Sequence, residues 1–220
     1  MTRFTERAWV VVVPIKRAGI AKSRLTGITA QQRAELARAF PADCVAAALA
    51  CRGVRAVVAV TDDTVAAARV RTLGARVIPD EPDAGLNPAL RHAHTVVRDR
   101  YGDVGVAVLS GDLPALQPDE LATALTRASG SARAFLSDQA GDGTTLLTAA
   151  AGCDLDPRFG AGSAHRHRES GAVPLSAEGL DSVRRDVDTP ADLQAAVRLG
   201  VGPHTDDVLR RHGLTVDALH

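Results

Sequence analysis

Three runs of aliphatic residues, Val10 to Ile15, Val54 to Val60 and Val104 to Leu109, pass with almost no polar interruption. A strand with one wet face alternates apolar and polar side chains, so a continuous run reads as a strand buried on both faces. Such strands need helices above and below them. The sequence supplies these, with Ala/Leu/Arg-rich stretches at about Thr29 to Cys51, 64–73, Asn87 to Arg100 and Pro118 to Ala128, and a short strand at Ala75 to Ile78. This alternation predicts an α/β fold built on a mostly parallel sheet with helices on both faces. Pro41 is expected to kink or split the first helix. Asn87, followed by Pro88, reads as an N-cap with proline at the first helical position.

After about Ala132 the rhythm shortens. Strands are expected at Ala134–Ser137, Thr145–Ala150 and Ala172–Leu175, with a turn-rich section at 156–171 between them. An extended Asp186–Asp188 and a helix at 190–199 follow. With 220 residues, 45% of them apolar, the chain can bury a sizeable core. No internal repeat, low-complexity tract or linker interrupts it. A single domain over 1–220 is expected, with a core of about 8–200 and a helical tail at about 203–220. Open parallel sheets place ligands at the carboxyl ends of their strands, which is where chemistry should be sought.

Composition narrows the choice of ligand. Lys plus Arg equals Asp plus Glu, 26 against 26, and aromatics make up 3%. Neither a basic field nor a stacking surface for nucleic acid follows from that balance. No apolar run reaches the ~20 residues of a membrane helix, and the first residues lack a signal-peptide pattern. Cys44, Cys51 and Cys153 are an odd, scattered set without CxxC spacing, so neither structural zinc nor a disulfide framework is expected. A cytoplasmic location is the default reading.

One carboxylate stands directly behind a buried strand, in Leu109-Ser110-Gly111-Asp112-Leu113-Pro114. A second acidic turn, Arg185-Asp186-Val187-Asp188-Thr189-Pro190, supplies two more. Asp186 and Asp188 alternate along an extended segment and so share one face. Hard divalent cations take oxygen ligands from separate turns, and magnesium commonly uses one or two carboxylates together with phosphates and water. For Asp188 a helix cap is the alternative reading. Asp192 reads as a first-turn acid facing the helix dipole.

Behind the first strand lies Lys16-Arg17-Ala18-Gly19-Ile20-Ala21-Lys22-Ser23-Arg24, four cations in nine positions. A triphosphate calls for such a concentration of charge, although the pattern is neither GxxxxGK[ST] nor GxGxxG. Gly141-Asp142-Gly143-Thr144-Thr145 is equally a hairpin turn or a close approach to a ligand. Arg158-Phe159-Gly160-Ala161-Gly162-Ser163 leads into a basic helix start. Ser163 is read as its N-cap, with free amides available to phosphate or carboxylate. His165 and His167 read as surface residues. Asn87 either caps its helix or reads a purine or ribose. No GxSxG elbow or Cys/His pair suggests acyl transfer.

The segments PIKRAGIAKSRL, TDD, GLN, SGDLPAL, GDGTT, DPRFGAGSAHRHRESGAV and DVDTPADL run in order from residue 14 to 193. Together they resemble the 2-phospholactate/phosphoenolpyruvate guanylyltransferases of deazaflavin coenzyme F(420) biosynthesis. The resemblance implies a GT-A, nucleotide-diphospho-sugar-transferase-like fold, GTP as nucleotide donor and magnesium as the ion. Carried over residue by residue, it makes Asp112, Asp186 and Asp188 the metal-site acids. Lys16, Arg17, Lys22 and Arg24 match the triphosphate loop, with Asn87 in the nucleotide pocket. Thr144, Gly160 and Ser163 match the positions that hold the phosphorylated three-carbon acid. Asp112, Lys16 and Lys22 would be the catalytic set. Pro14-Ile15-Lys16 stands where molybdenum-cofactor nucleotidyltransferases carry a glycine pair. Relatives use phosphoenolpyruvate, 2-phospho-L-lactate or 3-phospho-D-glycerate. The Ala/Arg/Val-rich, Lys-poor usage points to a high-GC genome, and actinobacterial relatives look like phosphoenolpyruvate users. The resemblance therefore implies phosphoenolpyruvate as acceptor, with hand-over of the product to a downstream deazaflavin transferase.

Overall fold

Val10, Val11, Val12 and Val13 are all fully buried, as only residues of a central strand can be. They lie in β1 (Trp9–Pro14), and the side chains go alternately to opposite faces. Val11 and Val13 join one apolar cluster, Val10 and Val12 another. A computed structural model describes residues 9–16, 22 and 24–215. In it β1 is flanked on both sides by parallel partners, β2 (Val54–Val60) and β4 (Gly105–Leu109). Beyond β2 lies the short β3 (Arg76–Ile78), also parallel.

One later strand runs the other way. β6 (Thr144–Ala149) runs antiparallel to both β4 and β5 (Arg133–Ser137), and β7 (Val173–Pro174) closes the far edge parallel to β5. The sheet order is β3-β2-β1-β4-β6-β5-β7, so the expected mostly parallel α/β sheet is present. The change of rhythm after Ala132 marks where the antiparallel strand enters.

Helices α1 (Ala30–Ala50), α2 (Thr64–Leu73), α3 (Leu86–Tyr101) and α4 (Pro118–Ala128) cover the two faces. A capping box formed by Thr29 and Gln32 starts α1, closing two otherwise orphaned donors. The helix then continues through Pro41, against the expected break. Loss of one backbone bond and the ring's steric cost, about 3 kcal/mol, are outweighed by burial of Leu36, Phe40, Cys44, Val45 and Ala48. Asn87 does not cap α3 either. Gly85 holds that place with φ 98° and ψ 173°, a conformation open to glycine and strained for asparagine.

The remaining helices are α5 (Ser163–Glu169), the unanticipated α6 (Asp181–Arg184), α7 (Pro190–Leu199) and α8 (Pro203–Arg211). Asp186–Asp188 forms no strand. It is tied to the sheet through the Val187 N–H, which donates to the Asp112 carbonyl at 3.1 Å. The predicted tail is docked as α8. Asp43 of α1, buried, accepts the His204 and Thr205 N–H groups at 2.9 and 2.8 Å, satisfying donors at the start of that helix. Among the described residues no helix is long and apolar enough to cross a membrane.

Candidate active site

The carboxyl ends of β1 and β4 lie side by side, and the turns that leave them make the floor of a cleft. Gly111 allows this. A Cβ there would stand 2.7 Å from the Pro14 carbonyl oxygen and 3.3 Å from Val13 Cγ1, so a larger residue would push the two turns apart. Cys44 of α1 supports the same turn from below, its thiol donating to the Ser110 carbonyl at 3.3 Å. That thiol is buried, which pushes its pKa up and keeps it a neutral packing group. Gly111→Ala should therefore cost about 1–3 kcal/mol by overpacking. Urea denaturation measures it, and unchanged stability would show that the turn has room to spare.

Asp112, next in the turn, is held at both oxygens. Ser110 Oγ donates to Oδ1 at 2.7 Å, and Lys22 Nζ donates to Oδ2. Lys22 also donates to Asp188 Oδ1 at 2.9 Å, and Arg24 pairs with Asp188 Oδ2. One ammonium thus joins the acidic turn behind β4 to the one before α7. Burial alone would raise the Asp112 pKa, but the charge and hydrogen bond of Lys22 and the Ser110 hydroxyl bring it below the usual range. Burial opposes the charge on Lys22, and the two aspartates more than offset this, raising its pKa.

Asp188 is free for this role because Thr189 is the N-cap of α7, forming a capping box with Asp192. The helix-cap reading of Asp188 is set aside, and Asp192 does more than face the dipole. Among the described residues Asp186 has no such counter-ion. Burial, then the negative charges of Asp112, Asp138 and Asp188, push its pKa up to about 7.

Among the described residues no group of three or more His, Cys, Asp or Glu side chains is arranged to hold a metal. Asp112 and Asp188 line one cleft and Asp186 lies near enough to feel their charges, but the three do not form a ready cage. The donor set still suits magnesium, which needs one or two carboxylates and completes its shell with phosphate and water. Asp112 and Asp188, already bridged by one cation, are the pair that fits.

A cavity of about 370 Å³ opens above them, lined by Lys16, Lys22, Arg24, Asp112 and Asp188 at one end and by apolar residues including Phe40, Pro41 and Leu86. Three of the four expected loop cations therefore meet the two aspartates in one pocket. Arg17 lies outside the described residues.

The residues expected to form the second site lie around α5. Asp142 stitches the two glycine-rich turns together, its Oδ2 accepting the Gly162 N–H and its carbonyl the Ala164 N–H, both at 3.0 Å. The Ser163 N–H donates to the Gly160 carbonyl at 3.1 Å. The amides expected to be free at this helix start are thus already engaged. Ser163 is not the N-cap but the first helical residue, behind Gly162, and it is buried. Asp138 in turn accepts the Gly141, Asp142 and Gly143 N–H groups, fixing the 141–143 turn.

Two residues behave differently from expectation. Asn87 neither caps nor opens its amide fully to the pocket. It accepts the Phe159 N–H at 2.8 Å and donates to the Phe159 carbonyl at 3.1 Å. His167 is fully buried rather than on the surface, and its Nδ1 lies 2.9 Å from Thr144 Oγ1. His165 is exposed, 3.2 Å from Glu169. The i, i+4 spacing of Ser163 and His167 on one face of the helix was the available signal.

A family model described as "Guanylyl transferase CofC like" matches residues 9–220. The chain is 51% identical over 200 residues to a phosphoenolpyruvate guanylyltransferase of Thermomonospora curvata, covering 91% of this chain and 88% of that one. A crystal structure from Desulfovibrio desulfuricans G20, described as a nucleotide-diphospho-sugar transferase, superposes with a TM-score of 0.68 at 16% identity. The match covers 97% of this chain and 98% of that one. A manganese complex of a Mycobacterium tuberculosis protein shares the fold with a TM-score of 0.51 at 19% identity, over 88% of this chain and all of that one.

Proposed function

The chain belongs to the CofC-like guanylyl transferase family, and from that membership we propose that it transfers GMP from GTP to phosphoenolpyruvate in coenzyme F(420) biosynthesis. The products are enolpyruvyl-2-diphospho-5'-guanosine and pyrophosphate. The observation that carries this reading is the convergence of Lys22 on Asp112 and Asp188 at the mouth of β1 and β4, inside a pocket that also holds Lys16 and Arg24.

The chemistry needs no general base. A phosphate oxygen of the acceptor, anionic near neutral pH, attacks the α-phosphorus of GTP as the bond to the bridging oxygen of pyrophosphate breaks. The protein has to align the two anions and offset their charge. Lys16, Lys22 and Arg24 bind the triphosphate, joined by Arg17. Asp112 and Asp188 would hold magnesium, with Asp186 beside them. When bound, the ion would neutralise charge on the phosphates and orient the α-phosphorus. Leu86 lines the nucleotide end, and Asn87 acts there by fixing the start of α3 against the 158–163 loop. Thr144, Gly160 and Ser163 receive the phospho-acid. Product hand-over to a downstream deazaflavin transferase completes the proposal.

Incubating the protein with each nucleoside triphosphate, magnesium and each phospho-acid, then measuring pyrophosphate, tests it. GTP with phosphoenolpyruvate should give the highest kcat/KM. A clear preference for 2-phospho-L-lactate or 3-phospho-D-glycerate would change the acceptor. No pyrophosphate from GTP with any of the three would overturn the function.

A further inference from the structure

We propose that His167 is a positioning residue that turns the Thr144 hydroxyl into an obligate hydrogen-bond donor toward the acceptor. The proposal rests on the reading of Thr144 as part of the phospho-acid site. It begins with a donor that cannot change sign. The backbone N–H of Arg158 points at His167 Nε2 at 3.0 Å, so that nitrogen must be the acceptor, with its lone pair facing outward. In a neutral ring the single proton then sits on Nδ1. Nδ1 faces Thr144 Oγ1 at 2.9 Å, so the ring donates and the hydroxyl oxygen accepts.

A threonine hydroxyl normally rotates to donate or accept as its surroundings ask. Here one lone pair is taken by the imidazole, and among the described residues the hydroxyl proton has no other partner. A phosphate or carboxylate offers only acceptor oxygens. A hydroxyl fixed in this sense matches them before they arrive, without the reorganisation that a free rotor would need.

The ring is held for this task. Phe159 meets it edge-on at 5.1 Å between centroids, and Phe135 of β5 lies at 6.0 Å. Burial, with the positive charges of Arg133 on β5 and Arg166 on α5, lowers its pKa to about 4. Arg158 in the adjoining loop adds to that effect and Asp156 opposes it. The imidazole is therefore neutral at working pH, as the donor–acceptor order demands.

Two measurements test the proposal separately from the guanylyltransferase reading. In ¹⁵N-histidine-labelled, substrate-free protein at pH 7, nitrogen–proton correlation spectra should place the His167 proton on Nδ1 with Nε2 bare. A proton on Nε2, or on both nitrogens, would overturn the proposal whatever reaction the enzyme performs. In steady-state assays with GTP and phosphoenolpyruvate, Thr144→Val should raise KM for the acceptor about tenfold, and Thr144→Ser should restore it. His167→Gln keeps an acceptor for the Arg158 amide but loses the donor to Thr144, so it should raise the same KM about tenfold with KM for GTP unchanged. His167→Asn, whose amide can replace Nδ1–H, should recover much of the loss. The Thr144→Val/His167→Gln pair should be no worse than Thr144→Val alone. Equal losses for GTP and acceptor, additive losses in the pair, or a milder effect in His167→Gln than in His167→Asn would reduce His167 to a packing residue. Should a His167 variant not fold, the wild-type spectrum and the Thr144 pair still decide. A wild-type enzyme inactive with every phospho-acid would fail the functional reading and leave the tautomer result standing.

Discussion

Asp112→Asn should lower kcat for guanylyl transfer by about 10³-fold, the scale of removing a charge-stabilising group from a transition state. Its carboxylate receives the Ser110 hydroxyl and the Lys22 ammonium and leads the cleft in which the triphosphate is proposed to lie. The amide is nearly the same size and can still accept from Ser110. The backbone bond from Val187 to the residue-112 carbonyl does not involve the side chain. Stability should therefore fall by only about 1–2 kcal/mol, a decrease in Tm of about 2–8 °C for a chain of this length. Pyrophosphate release and thermal denaturation on the same preparation separate the two effects. Near-parental turnover in a folded variant would show that Asp112 does not serve the phosphates.

The second large effect is expected at Lys22, and it should depend on added metal. Lys22→Met leaves the Asp112 and Asp188 carboxylates facing each other without their shared cation. Breaking a buried pair on one side costs about 3–5 kcal/mol. Asp188 is 36% exposed and Asp112 25%, so solvent screening should reduce this to about 2 kcal/mol. The raised pKa of Lys22 means its contribution is complete below the unfolded value near 10.4 and is lost as pH rises through the higher folded value. The lowered pKa of Asp112 means its share is present above about 3.9 and is lost as pH falls through the folded value. The penalty should grow as pH rises through about 7, where Asp186 ionises beside the two carboxylates that have lost their shared cation. Adding magnesium or manganese chloride without GTP should narrow the difference in Tm between parent and variant, because a cation binding only the folded state stabilises it by mass action. An equal shift in both proteins would show that ion and ammonium do not share those oxygens. Catalysis should fall about 10²-fold even with metal present, since the triphosphate loses a donor.

The central strands were legible because they are wet on neither face, which leaves a signature no surface residue dilutes. Helices with local caps were legible in outline, and Thr29 and Thr189 cap by contacts within a few residues. Misreadings arose where a local rule yielded to something distant. Pro41 is tolerated because its neighbours are buried against other elements. Asn87 passes over the capping role and binds a backbone 72 positions away. Ser163 moves one place into its helix because Gly162, in a left-handed conformation, takes the cap. His167 carries no mark in sequence of whether it faces in or out. The acidic turns and the basic loop could each be found in the sequence. That one lysine would join the two turns depended on the sheet bringing residues 22, 112 and 188 to one point.

The paired hydrogen bonds between Asn87 and Phe159 have a practical consequence for redesign. They fasten the loop proposed for the phospho-acid onto the helix whose first residue, Leu86, lines the cavity proposed for the nucleotide. Loop 158–163 is therefore not a detachable module. Transplanting it from a relative with another acceptor preference requires residue 87 to travel with it, and libraries that vary the loop should be screened against several nucleotides as well as several acids.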